Sequence, residues 1–136
     1  MKTALLVLFF ATGFFSCKKY IQQQEENAVI KIMTSGVWYV HAYTQNDTAI
    51  TATFTGYTFQ FLANGIVYAI KDSAKVATGT WVGNVDNETI TSSFSGATDP
   101  LDKLNSVWTI TDSGSDYVVA TATIGTNMEY LYLQKQ

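Results

Sequence analysis

The side chains able to act as nucleophiles, acid–base groups or metal ligands are few in this sequence and do not converge. The chain has one histidine, His41, and one cysteine, Cys17. No Cys/His zinc set and no serine or cysteine nucleophile with a histidine base can be assembled from them. His41 alternates with its neighbours and reads as an outward strand residue. Asp47, Asp72, Asp86, Asp99, Asp102, Asp112 and Asp116 nearly all fall among turn residues, where a short carboxylate side chain caps the backbone. No Asp-x-Asp-x-Asp-Gly calcium loop is present. These residues name no reaction, no metal and no cofactor, and the expectation is a protein that is not an enzyme.

The elements that must carry these side chains are organised around Ser35-Gly36-Val37-Trp38-Tyr39-Val40-His41-Ala42-Tyr43. In a strand Trp38, Val40 and Ala42 share one face, and Val37, Tyr39, His41 and Tyr43 the other. Gly36 lets the chain turn sharply before a bulky indole, so Gly36 and Trp38 are expected to plug one end of a barrel. Eight strands follow from the alternation of apolar and polar residues between turn signals, at about 37–44, 54–62, 65–71, 75–83, 87–95, 106–112, 116–124 and 128–134. Tyr57-Thr58-Phe59-Gln60-Phe61 is the clearest, and Ala63-Asn64-Gly65 supplies the positive φ of a tight hairpin. The segment 98–104 holds one helical turn with Pro100 at its start. An even number of strands joined by short links predicts an all-β, eight-stranded up-and-down antiparallel barrel, with an open sandwich as the alternative.

Ahead of the strands, Met1-Lys2 and an apolar or small run from Ala4 to Phe15 read as an export signal. At about 12 residues the run is well short of the roughly 20 that a spanning helix needs. Cys17 directly behind it, with Ser16 before it, resembles a bacterial lipoprotein signal, which implies cleavage after residue 16, lipidation of Cys17 and attachment of the mature chain to a membrane. Lys18 is not the aspartate that retains such proteins in the inner membrane, so the resemblance implies the outer membrane, facing the periplasm. Residues 17–35 then form a lipid-anchored tether, with a short amphipathic helix read from Ile21, Ala28, Val29, Ile32 and Met33; a partly ordered linker is the other reading. The eight basic residues are all lysine and the net charge is -3, which excludes nucleic acid as a partner. Asp47-Thr48-Ala49 and Asp72-Ser73-Ala74 resemble a bacterial O-glycosylation signal, with Thr48 and Ser73 as the acceptors.

The inward set combines Trp38, Tyr57, Phe59, Phe61, Trp81, Phe94 and Trp108 with small residues such as Ala42, Ala69, Ala77, Gly79, Ser92, Ala120 and Ala122, and it is expected to contain no charge. An eight-stranded barrel is just wide enough to be filled by side chains or to hold one small ligand. A pocket, if the small residues cluster, is apolar and bordered by Phe59, Phe61, Trp81, Trp108, Ala69, Ala77 and Ala120. If they interleave with the rings, the core is solid. Outside, Tyr39, Tyr43, Tyr130 and Tyr132 gather where the first and last strands meet. They are either ordinary cross-strand pairs or the seat of a protein partner or of the N-terminal helix on a monomeric barrel.

The chain resembles the lipocalin-like domain of small lipoproteins of Gram-negative bacteria over Gly36 to Leu133. The resemblance rests on Gly36-Val37-Trp38, Phe54-Thr55-Gly56-Tyr57-Thr58-Phe59-Gln60-Phe61, Asn64-Gly65, Thr78-Gly79-Thr80-Trp81 and Leu104-Asn105-Ser106-Val107-Trp108. Ser115-Asp116-Tyr117 is similar to the Thr-Asp-Tyr of true lipocalins, which implies that Asp116 and Tyr117 shape a loop at the closed end. Lipocalins place an arginine over the first tryptophan; this chain has only Lys135 near that position. The resemblance implies a barrel of residues 36–136 that takes a small hydrophobic ligand or none.

Overall fold

Alternating residues that bury every second side chain can satisfy their backbone only through neighbouring strands, and here the strands run until they meet end to end. The computed structural model describes residues 28–136. Its strands are β1 (Trp38–Gln45), β2 (Thr48–Ala49), β3 (Tyr57–Phe61), β4 (Ile66–Lys71), β5 (Ala74–Asn84), β6 (Thr89–Ser93), β7 (Ser106–Ser113), β8 (Tyr117–Ile124) and β9 (Asn127–Lys135). All pairings are antiparallel between neighbours in sequence, apart from β1 with β3 across the two-residue β2, and β1 with β9, which closes the barrel. The closure is long on one side and short on the other. β1 pairs with β9 from Trp38↔Lys135 to Gln45↔Glu129, but with β3 only at Trp38↔Phe59. The eight-stranded up-and-down barrel is the expected fold; β2 is an addition to it.

Turn chemistry agrees with the positions of the aspartates. Asn46, Asp47, Asp72 and Ser73 all have positive φ, the geometry that two-residue hairpins need and that Asn and Asp tolerate. Residues 28–34, labelled α1, are helical and cover the end at which β1 begins. Met33 is buried in the core, and the Trp38 indole N–H donates to its carbonyl at 2.9 Å. The opposite end is covered by two single 3-10 turns, Thr51–Phe54 and Leu101–Leu104, whose Phe54, Leu101 and Leu104 are buried. The second follows Pro100, as expected. The first occupies what reads in the sequence as the start of a strand at residue 54.

One expectation for β1 fails. Val40 pairs with Leu133 and Ala42 with Tyr132, so His41 is an extra residue on β1, a β-bulge. A bulge inserts one residue and so exchanges the two faces beyond it. Tyr43 accordingly points inward, fully buried, and Ala42 lies on the outer face. Similar bulges fall at Val76 in β5 and Thr111 in β7.

Candidate functional site

The barrel interior holds a cavity of about 40 Å³. Of the residues expected to border a pocket, Phe59, Phe61, Trp108 and Ala120 line it. Three do not. Trp81 lies behind Phe61, edge to face at 5.4 Å, with its N–H on the Leu62 carbonyl at 2.8 Å. Ala69 is buried away from the cavity, and Ala77 is half-buried nearer the barrel's rim. Met33 and Leu104 enter the lining from α1 and the Leu101–Leu104 turn; strand alternation alone could not place them. Large rings and small residues therefore interleave. Phe59 packs on Phe94 at 6.2 Å, and Gly79 has no room for a side chain, since a Cβ there would stand 2.5 Å from the Ser93 carbonyl oxygen.

At the end under the Leu101–Leu104 turn the interior is polar, against expectation. Glu129 points inward and is 3% exposed, and its Oε2 has no hydrogen-bond partner. The signal for it was present in the sequence: Met128 and Tyr130 face outward, so the residue between them faces in. Beside it, the Tyr43 ring stacks on Phe54 at 5.3 Å and meets the edge of Trp108 at 5.9 Å. The Tyr43 hydroxyl donates to the Lys103 carbonyl at 2.9 Å. Burial, and then the negative charge of Glu129, push the Tyr43 phenol well above its ordinary range. The turn is further held by the Trp108 indole N–H and the Ser92 hydroxyl, which both donate to the Leu104 carbonyl, the former at 3.0 Å. Lys103 reaches away to Asp99 at 2.8 Å, and that hydrogen bond raises its ammonium above the usual range.

At the α1 end, Gly36 has φ +90, and the buried Trp38 is covered by the Lys135 ammonium, 5.0 Å from the ring centre. Asp116 accepts the Lys135 backbone N–H at its carbonyl, 2.9 Å, while Tyr117 donates its hydroxyl to Asp112 Oδ1 at 3.1 Å. On the outside, His41 meets Tyr132 at 4.6 Å and Tyr132 meets Tyr117 at 6.1 Å; Tyr39 donates to Gln134 Oε1 at 2.9 Å. With Tyr130, these residues form an aromatic row across β8, β9 and β1, from which Tyr43 is absent. Thr48 and Ser73 are exposed in hairpins. Cys17 and the tether up to residue 27 lie outside the described residues.

The fold and its two covered ends define the class: a small, closed, eight-stranded up-and-down antiparallel barrel. Among solved structures it is similar to a DUF4847 family protein from Bacteroides vulgatus ATCC 8482, with 16% sequence identity, a TM-score of 0.57, and coverage of 79% of this chain and 99% of that one. The likeness is one of fold. No family model matches the chain, and no curated protein does.

Proposed function

We propose that this protein is a lipocalin-like lipoprotein, anchored to the outer membrane through Cys17, that carries out no reaction and acts through the exterior of a solid barrel. The observation that carries the reading is the interior volume. Small-molecule pockets run to roughly 300–1,000 Å³, whereas the cavity here is about 40 Å³, and both ends are covered by buried side chains. A fatty acid or sterol has nowhere to lie. The aromatic row of Tyr39, His41, Tyr132 and Tyr117 is the surface on which a protein partner would seat, because aromatic residues are enriched where interfaces bury area. The anchor is inferred from the apolar run ahead of Cys17.

The test uses the full chain. Fatty acids, sterols and aromatic metabolites are titrated while indole emission and thermal unfolding are followed, and cells are fed labelled fatty acid. The expected result is no quenching and no thermal shift, with label on the wild type and none on Cys17→Ser, which leaves the membrane fraction. A saturable shift with any apolar ligand ends the solid-core reading. Membrane retention of Cys17→Ser ends the anchor.

A further inference from the structure

The outer face where β1 meets β9 presents aromatic side chains that the interior does not use. Ring centres follow one another there at 6.1 Å from Tyr117 to Tyr132, 4.6 Å from Tyr132 to His41 and 6.3 Å from His41 to Tyr39. Successive rings stand at 79°, 71° and 69° to one another. The row is therefore notched, with clefts between ring edges and faces, and is not the flat platform on which a sugar ring stacks.

Charge and hydrogen bonding narrow the choice of partner. From Tyr39 to Thr44 on β1 and from Met128 to Gln134 on β9 the one charged side chain is Glu129, which is buried in the interior. An acidic, basic or phosphorylated segment finds no counter-charge on this face, and the chain has no arginine to read a phosphate. The Tyr39 hydroxyl is taken up by Gln134 and that of Tyr117 by Asp112. Those of Tyr130 and Tyr132 have no hydrogen-bond partner among the described residues, so two donors stand ready for a neutral acceptor.

The backbone narrows it further. β1 and β9 are paired from Trp38↔Lys135 to Gln45↔Glu129, which leaves no edge here for an added strand. A helix about 10 Å across is too wide for notches between rings 4.6 to 6.3 Å apart. Of the recurring modes of peptide recognition, the one that remains is polyproline II, whose prolines dock among aromatic rings and whose solvated carbonyls are free to accept. Two notches flank the Tyr132–His41 pair, one bounded by Tyr117 and the other by Tyr39. Measured along the row they are about one turn of that helix apart, three residues at about 3.1 Å each.

We propose that the partner seated on this face is an uncharged proline-rich segment in the polyproline II conformation. One prolyl ring lies between Tyr117 and Tyr132, another between His41 and Tyr39, and its carbonyls accept from the Tyr130 and Tyr132 hydroxyls. The inference rests on the reading that the protein works through its outer face, and it names the chemistry of the partner.

The test titrates decaproline into the full chain at low and at high salt, with an uncharged glycine–serine peptide of the same length and maltoheptaose as controls, while aromatic ring resonances are followed. Saturable binding is expected for decaproline alone, insensitive to salt because no charges are screened, with the His41 and Tyr132 resonances moving. Tyr132→Ala is expected to weaken binding by more than about tenfold, as loss of a central aromatic anchor does, and Tyr132→Phe by less, through one hydroxyl. Tyr68→Ala, on the outer face of β4, is expected to leave it unchanged. His41→Ala, at the exposed bulge position, is expected to weaken binding as well and serves alone if Tyr132→Ala does not fold. If decaproline does not bind, or if maltoheptaose moves the row in its place, the proline-rich partner is overturned while the solid barrel stands. Wild-type affinity in His41→Ala and in a folded Tyr132→Ala overturns it too. If the Trp108 resonances move in place of those of the row, the interior is what binds, and the outer-face reading falls with this one.

Discussion

The Lys135 ammonium stands 5.0 Å from the centre of the Trp38 ring and donates to Ser35 Oγ at 2.8 Å. One side chain near the end of the last strand thus covers the first tryptophan of the barrel and ties down the residue that follows α1. It occupies the position that the lipocalin resemblance assigns to an arginine. A cation over an indole face contributes about 0.5–1 kcal/mol at a partly exposed site. Lys135→Met is expected to lower stability by that amount in urea unfolding, and Lys135→Arg to retain it, since the guanidinium stacks on aromatic faces at least as well.

The buried phenol of Tyr43 makes stability depend on alkaline pH. Its folded-state ionisation is raised above the unfolded value, near 10 for a free tyrosine. Its contribution is therefore fully present below about pH 10, and it is lost above that pH as the unfolded state releases a proton that the native state keeps. The slope is at most about 1.4 kcal/mol per pH unit for one group. Unfolding midpoints measured from pH 9 to 11.5 should fall more steeply for the wild type than for Tyr43→Phe. At neutral pH Tyr43→Phe should cost about 1 kcal/mol through the lost bond to the Lys103 carbonyl.

The cavity beside Ala120 is too small for a ring. Ala120→Phe is expected to destabilise by typically 1–3 kcal/mol, because excess volume forces neighbours off their rotamers. Denaturant midpoints check this directly, and a stabilised variant would mean that the interior holds more space than its walls indicate.

Gly79 and Gly96 separate two reasons for glycine. A Cβ at Gly79 would meet the Ser93 carbonyl oxygen and the Phe94 ring, whereas Gly96 has φ +74 and open space around it. Gly79→Ala should cost more than about 2 kcal/mol, in the range of overpacked cores. Gly96→Ala should cost about 1–2 kcal/mol, from the left-handed backbone alone. Comparable losses at the two positions in chemical unfolding would contradict this account.

Residues 28–34 belong to the barrel rather than to a tether. Met33 is buried, and its carbonyl receives the Trp38 N–H. Met33→Ala is expected to cost about 2–5 kcal/mol, as for other buried Met-to-Ala truncations. A fragment of residues 36–136 should be less stable than the full chain by at least that much, and circular dichroism melts of the two would show the difference.

Most of the barrel was legible because alternation is a property of residue types. Tyr57-Thr58-Phe59-Gln60-Phe61 can bury its rings only as a strand, and Asn64-Gly65 admits a tight turn at little steric cost. What escaped were events of the backbone. The bulge at His41 leaves no mark in composition, yet it carries Tyr43 from the outer aromatic row into the core. Phe54 has the apolar character of a strand residue but sits in a 3-10 turn, its ring packed against Tyr43. Glu129 escaped for the opposite reason: its position was correctly alternating, but its charge hides it from any search for inward residues by apolarity. The cavity lining was half legible, because Met33 and Leu104 come from elements whose docking on the barrel no strand pattern records.

The long seam of the barrel joins its first and last strands, with Tyr39 and Gln134 bonded across a sequence separation of 95. Loop-closure entropy must be overcome before such a contact contributes, so topologies rich in distant pairings fold slowly. The ring cannot close before β9 is made, because β1 waits for that strand, the last of the barrel among the described residues. A chain stopped at Gly125 carries every strand but that one, leaving open edges on both β1 and β8. Synthesis of β9 is thus a kinetic condition for the barrel, and the interval before it is when this fold is most exposed to aggregation and proteolysis.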